Sequence, residues 1–92
     1  MDLGQMYLVY ERMLIARSSG DILFFKLEKN EETGIEEWIL FKQIEMRGFI
    51  YYIKGNVRIQ IVTDEKIYFY LIDKETLEPT MENSMYNYMN CN

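Results

Sequence analysis

The most regular alternation of apolar and polar positions lies in residues 49–72, FIYYIKGNVRIQIVTDEKIYFYLI. A period of two residues between turn-forming residues is typical of β-strands. Residues 55–56, Gly-Asn, are suited to a two-residue turn, and residues 64–66, Asp-Glu-Lys, to a three-residue turn. The segment therefore predicts a three-stranded antiparallel meander.

The length of the second turn decides which side chains share a face, because a one-residue slip turns every side chain over. A three-residue turn separates an apolar face from a mixed one, and we expect that turn. The predicted core face carries Ile50, Tyr52, Val57, Ile59, Ile61, Ile67, Phe69 and Leu71. The opposite face carries the candidate binding residues Tyr51, Arg58, Gln60, Tyr68 and Tyr70. Tyrosine and arginine are enriched in binding hot spots, so this face is the first candidate site.

Residues 3–17 fit two structures. Their apolar positions have helical spacing, but they also fit two strands, residues 6–11 and 13–17, followed by a tight turn at residues 18–21. That turn directly precedes the strand-like run of residues 22–27, so we favour the strands. In this register Ile15 lies opposite Phe24, and Leu14 shares the other face with Leu23.

Residues 28–37 contain five glutamates and no apolar period, which predicts a loop or hairpin tip. Its candidate binding residues are Glu31, Glu32, Glu36 and Glu37. These carboxylates would steer a protein partner with a basic surface. The alternative is a solvated tip that discourages aggregation. Residues 38–44 are rich in β-formers and predict a strand that pairs with residues 22–27.

The C-terminal segment, residues 80–89, predicts a short helix. Met81, Met85 and Met89 recur at helical spacing after Thr80, which is a suitable N-cap. Methionines on such a helix would either cover the tyrosine-bearing face or leave it exposed. The run of residues 67–72 is uncharged and must be covered or paired, so a homodimer through a sheet edge is a further option.

These elements predict one mainly β domain spanning residues 1–92. We expect a single small antiparallel sheet or barrel of five to seven strands with a short C-terminal helix. The alternative is an α+β fold with an N-terminal helix packed on the sheet.

The amino-acid composition makes several classes of partner and of chemistry unexpected. Ten basic and fifteen acidic side chains give a formal net charge of −5, which makes nucleic acid or an anionic membrane an unexpected partner. The chain has no histidine and a single cysteine, Cys91, so we expect no catalytic residues, no metal site and no cofactor. One cysteine without a signal peptide or an apolar span favours the cytoplasm.

The consecutive hairpins, with a segment such as IQIVTDEKIYFYLID, resemble part of a β-propeller. Ninety-two residues supply at most two blades, which cannot close a ring. Strands followed by a C-terminal helix also resemble a pleckstrin-homology-type barrel. Neither resemblance identifies functional residues.

We therefore expect a non-enzymatic protein-binding module that acts by stoichiometric contact. The abundance of Ile, Tyr, Asn, Lys and Met is common in AT-rich genomes, including those of viruses and phages. A narrower hypothesis is therefore a small acidic viral or phage inhibitor of a host protein. The alternative function is a nucleotide or small-ligand binder that uses the tyrosine-rich sheet face.

Overall fold

The computed structural model describes residues 3–87, which form eight strands and no helix. The strands are β1 (Leu3–Val9), β2 (Met13–Ser18), β3 (Asp21–Lys29), β4 (Glu36–Ile44), β5 (Phe49–Tyr52), β6 (Arg58–Val62), β7 (Lys66–Ile72) and β8 (Pro79–Tyr86). They form two four-stranded antiparallel sheets, ordered β1-β2-β3-β4 and β5-β6-β7-β8. The mainly β prediction is confirmed, whereas the single sheet or barrel of five to seven strands is wrong.

The first sheet has the predicted N-terminal strands. Ile15 lies opposite Phe24, Leu14 lies opposite Phe25, and β4 pairs with β3 as expected. The alternative N-terminal helix is absent from residues 3–87. The turn at Ser19 and Gly20 sets this register, and Gly20 has the positive φ of 82° that glycine accommodates without strain.

The predicted C-terminal helix is wrong, because residues 79–86 form a strand that pairs with β7 along its whole length. The uncharged edge of β7 presents a row of backbone donors and acceptors, and β8 satisfies them. Met81 and Met85 are four residues apart, a spacing that suits a helix. In the strand a bulge separates them, so Met81 lies opposite Tyr70 and Met85 lies opposite Ile67. The predicted helical residues 88–89 lie outside the described residues.

The turn between β6 and β7 has two residues, so the three-residue prediction is wrong. Val62 lies opposite Ile67, and the Thr63 N–H donates to the Lys66 carbonyl oxygen at 2.8 Å. The Thr63 hydroxyl also accepts from the Lys66 N–H at 3.0 Å, which closes the turn around residues 64–65. Every side chain of β7 therefore lies on the face opposite to the one expected.

The turn between β5 and β6 keeps the predicted register, in which Tyr52 lies opposite Ile59. Residues 55–56 are not its central pair, however. The Asn56 N–H donates to the Ile53 carbonyl oxygen at 2.9 Å, so the central residues are Lys54 and Gly55. Gly55 has φ of 89°, as the third position of a type II turn requires.

The two sheets pack face to face, and their inner faces form one hydrophobic core. The core consists of Val9, Met13, Ile15, Ile22, Phe24, Ile50, Ile59, Ile61, Tyr70, Ile72 and Leu77. The Phe24 and Phe41 rings lie with their centroids 6.4 Å apart beside this cluster. The first sheet contributes its residues from β1, β2 and β3, and the second sheet from β5, β6 and β7.

Polar contacts tie the two sheets together in matching strand order. The Gln5 side-chain amide donates to the Ile50 carbonyl oxygen at 2.9 Å, and its oxygen accepts from the Ile50 N–H at 2.7 Å. At the other edge, Lys42 Nζ donates to the Pro79 carbonyl oxygen at 3.3 Å. The first strands of the two sheets therefore adjoin, and β4 adjoins the start of β8.

The β1–β2 turn places two non-glycine residues in the left-handed region, Tyr10 with φ of 54° and Glu11 with φ of 60°. This conformation costs a non-glycine residue about 1–2 kcal/mol because of steric repulsion. Glycine adopts it without that repulsion but loses more backbone entropy on folding, which costs about 0.5–1 kcal/mol. We expect Glu11→Gly to raise the free energy of unfolding by about 0.5–1 kcal/mol, measured by urea denaturation. Glu36→Gly, in a strand, should lower it. A lower stability for Glu11→Gly would contradict the strained turn.

Candidate functional site

Each sheet has an outer face that points away from the other sheet, and both outer faces are apolar. The outer face of the first sheet carries Met6, Leu8, Leu14, Ala16, Leu23, Phe25, Leu27, Trp38 and Leu40. Its polar residues lie at its two ends: at one end the Gln43 amide donates to the Asp21 carboxylate at 2.8 Å, and at the other Lys29 lies opposite Glu36. None of the nine apolar residues belongs to the core cluster between the sheets.

The exposed part of this face lies on its two edge strands, whereas Ala16 and Leu23 in the middle of the sheet are buried. Leu8 is 49% exposed, Trp38 41% and Leu40 43%. An antiparallel sheet that faces water on one side normally alternates apolar with polar residues. A contiguous apolar surface of this kind is a candidate site of contact with another molecule.

The outer face of the second sheet is apolar with more aromatic residues. It carries Phe49, Tyr51, Gln60, Val62, Ile67, Phe69, Leu71 and Met85, with Arg58 at one end. Phe49 is 60% exposed and Tyr51 is 53% exposed. Arg58 binds Glu82 through two hydrogen bonds of 2.9 and 3.3 Å, and this carboxylate raises the arginine pKa. The only charge among these face residues is therefore paired.

The tyrosine-bearing face expected from the sequence is divided between the two sides of the second sheet. Tyr51, Arg58 and Gln60 lie on the outer face, as one group. Tyr68 and Tyr70 lie on the inner face, opposite Ile61 and Ile59. Tyr70 is buried in the core, and burial raises the pKa of its hydroxyl, with a smaller contribution from Tyr68.

The four candidate glutamates lie along the β3–β4 hairpin, and all are exposed. Glu31 and Glu32 belong to the tip, residues 30–35, whereas Glu36 and Glu37 begin β4 rather than a loop. Glu36 lies opposite Lys29, and Glu37 lies opposite Glu28. The Asn30 side-chain oxygen accepts from the Glu32 N–H at 2.8 Å, which orders the tip. Glu36 lies on the same side of β4 as Trp38, so part of this negative charge borders the outer face of the first sheet.

A small basic cavity of about 330 Å³ lies where the β2–β3 turn meets the β4–β5 connection. It is lined by Gly4, Arg17, Ser18, Ser19, Gly20, Arg47 and Gly48. The Arg17 guanidinium stacks over the Phe49 ring at 4.3 Å. A Cβ at Gly4 would lie 3.1 Å from Arg17 Nε, so glycine leaves room for this side chain. Within residues 3–87, neither Arg17 nor Arg47 forms a salt bridge.

A wider groove of about 760 Å³ lies at the end of the sandwich beside the β1–β2 turn. Its aromatic lining is Tyr7, Tyr10 and Tyr52, and the Tyr7 and Tyr52 rings meet edge to face at 5.8 Å. The Tyr10 hydroxyl donates to the Ile72 carbonyl oxygen at 3.3 Å, and burial is the main cause that raises its pKa. Because this hydrogen bond of Tyr10 links the two sheets, the shape of the groove depends on how the sheets pack.

No known protein family, curated protein or solved structure matches this chain. In the part of the chain that the structure describes, no three His, Cys, Asp or Glu side chains cluster closely enough to hold a metal ion. The same residues include no helix long and apolar enough to cross a membrane. The candidate site therefore rests on the geometry of the two outer faces.

The sequence predicts that the outer face of the first sheet is apolar, but it does not indicate that this face is a binding site. Leu14 and Leu23 were placed on one face, with Ile15 and Phe24 on the other. A strand pair that is apolar on both faces is typical of strands covered on both sides. The described residues form two sheets, which cover each other only through their inner faces.

Proposed function

We propose that the protein is a non-enzymatic protein-binding module that acts by stoichiometric contact through the outer faces of its two sheets. The observation that supports this function is the uncovered apolar surface around Leu8, Trp38 and Leu40. Fully burying one such side chain is worth roughly 1.5–3 kcal/mol. Large aromatic residues at the centre of such a surface are frequent hot spots.

The acidic hairpin has a different part in this proposal. Glu31, Glu32, Glu36 and Glu37 lie at or beyond the end of the apolar face and are exposed, so they contribute little contact energy. Their field would raise the association rate with a protein that carries a basic surface. In the narrower form of the proposal, a viral or phage inhibitor, this charge would compete with nucleic acid for a host protein.

The test is affinity capture with quantitative mass spectrometry, using the wild type and two variants. Leu8→Glu places a charge on the outer face of the first sheet and should remove the captured protein. Ile35→Glu makes the same chemical change at the 58% exposed hairpin tip and should retain it. Capture that survives Leu8→Glu, while circular dichroism shows both variants folded, would contradict the proposed surface.

A second candidate function is binding of a small anionic ligand, such as the phosphate of a nucleotide. The observation in its favour is the cavity between Arg17 and Arg47, two arginines that form no salt bridge within residues 3–87 of a chain with net charge −5. Guanidinium groups bind phosphate through paired hydrogen bonds. Stacking on Phe49 holds one of them in place.

This candidate is tested by titrating inorganic phosphate and AMP while following amide chemical shifts. We expect the amides of Gly20 and Gly48 to move, because both line the cavity. Arg47→Ala should abolish these shifts. Arg58→Ala, which removes a guanidinium paired with Glu82, should leave them unchanged. Equal shifts in both variants would exclude this site.

A further inference from the structure

We infer that the partner of the two outer faces is a second copy of the same chain, stacked head to tail. In this arrangement the outer face of the second sheet in one copy packs on the outer face of the first sheet in the next copy. The inference rests on the proposed function and names the partner for both faces. It follows from the way in which the two sheets of one chain already pack.

The contact inside the chain provides the geometry for the contact between copies. Both sheets are four-stranded meanders in sequence order, and they stack with Gln5 of β1 on β5 and Lys42 of β4 on the start of β8. Stacking a further sheet in the same sense would place β1 of the next copy beside β5. Each outer face would then be covered by a four-stranded sheet of another copy, just as each inner face is covered by the other sheet of its own chain.

The chemistry of the two faces favours another apolar sheet over a charged partner. The charged residues of the outer face of the first sheet lie at its two ends, with Asp21 at one end and Lys29 opposite Glu36 at the other. On the other face Arg58 is paired with Glu82, and Arg17 lies over Phe49 at the edge strand. A contact centred on the apolar rows would therefore keep these charges at its rim. The excess negative charge of the hairpin projects outside this contact, where solvent screens it.

Head-to-tail contacts use two different faces of each copy, so they end only when a ring closes. Rings of stacked four-stranded sheets typically contain about 4–8 sheets, and two sheets per chain correspond to roughly two to four copies. A symmetric dimer formed through one face would leave the other apolar face uncovered in both copies. Stepwise stacking covers both faces of every copy.

The experiment is native mass spectrometry with light scattering on the wild type and on two charge variants. We expect the wild type to form one closed oligomer. Leu8→Glu places a charge on the outer face of the first sheet, and Tyr51→Glu places one on the outer face of the second. Each variant should be monomeric, with the dissociation constant for self-association raised by about 100-fold or more. An equimolar mixture should form a 1:1 heterodimer, because Leu8→Glu keeps the face that Tyr51→Glu has lost. Ile35→Glu should keep the wild-type oligomer.

The possible outcomes separate this inference from the proposed function. A variant that dimerises alone would show a symmetric contact and overturn head-to-tail stacking. A monomeric wild type whose capture of a different protein is lost in Leu8→Glu would overturn the inference and leave the proposed function standing. A monomeric wild type that captures nothing would overturn both. Circular dichroism of each variant verifies that loss of association is not loss of folding.

Discussion

Phe24→Ala is expected to lower the free energy of unfolding by about 3–5 kcal/mol, enough to unfold much of a domain of this size. Phe24 is fully buried between the two sheets, where its ring lies beside Phe41. Truncation removes the transfer free energy of the ring and leaves a cavity that neighbouring strands cannot fill. Thermal and urea unfolding, followed by circular dichroism, measure the loss.

The adjacent residue provides a matched control. Phe25 lies next to Phe24 on β3, but its side chain is half-buried on the outer face of the first sheet. We expect Phe25→Ala to cost the isolated chain much less than Phe24→Ala. In a monomeric sample, a larger loss for Phe25→Ala than for Phe24→Ala would mean that the inner and outer faces have been assigned to the wrong sides, and equal losses would contradict the expected difference. In an assembled sample, Phe25→Ala should also weaken association.

Gln5→Leu is expected to destabilise the chain by about 1–3 kcal/mol, because it leaves the buried Ile50 N–H without a partner and the Ile50 carbonyl oxygen with only the Tyr7 hydroxyl at 3.4 Å. The Gln5 side chain both accepts from and donates to the backbone of Ile50, which is only 2% exposed. Leucine has a similar size but cannot form either hydrogen bond. Hydrogen exchange should show faster exchange at the Ile50 amide, together with a lower unfolding midpoint.

Gln43→Leu is the control for this change. Gln43 is exposed and donates to the Asp21 carboxylate at the edge of the first sheet, so its loss should cost less than about 1 kcal/mol. If Gln5→Leu leaves the exchange rate of the Ile50 amide unchanged, the side-chain link between β1 and β5 is not stabilising.

The sequence predicted the first sheet better than the second for a physical reason. The residues around Ser19 and Gly20 favour a single turn geometry, and that turn places Ile15 opposite Phe24. In β7 the set Ile67, Phe69 and Leu71 is more apolar than the set Tyr68, Tyr70 and Ile72, so hydrophobicity favours burying the set that in fact lies on the outer face. The deciding feature is the Thr63 side chain, whose hydrogen bonds with Lys66 stabilise the shorter turn.

The candidate site was predictable in part for the same reason. Tyr51, Arg58 and Gln60 lie on two strands joined by a correctly registered turn, and they share a face as expected. Tyr68 and Tyr70 lie on β7, whose register the sequence predicts wrongly. They lie on the inner face and not with Arg58 and Gln60. The uncovered face around Trp38 depends on how many sheets the chain forms, which local patterns do not determine.

The link between Gln5 and Ile50 spans 45 residues, whereas every strand pairs only with its neighbours in sequence. Each meander can therefore form from local contacts, and the link can form only when the two meanders dock. Interactions made after the transition state change the unfolding rate more than the folding rate. We therefore expect Gln5→Leu to shorten the lifetime of the folded chain while leaving its refolding rate nearly unchanged in stopped-flow experiments.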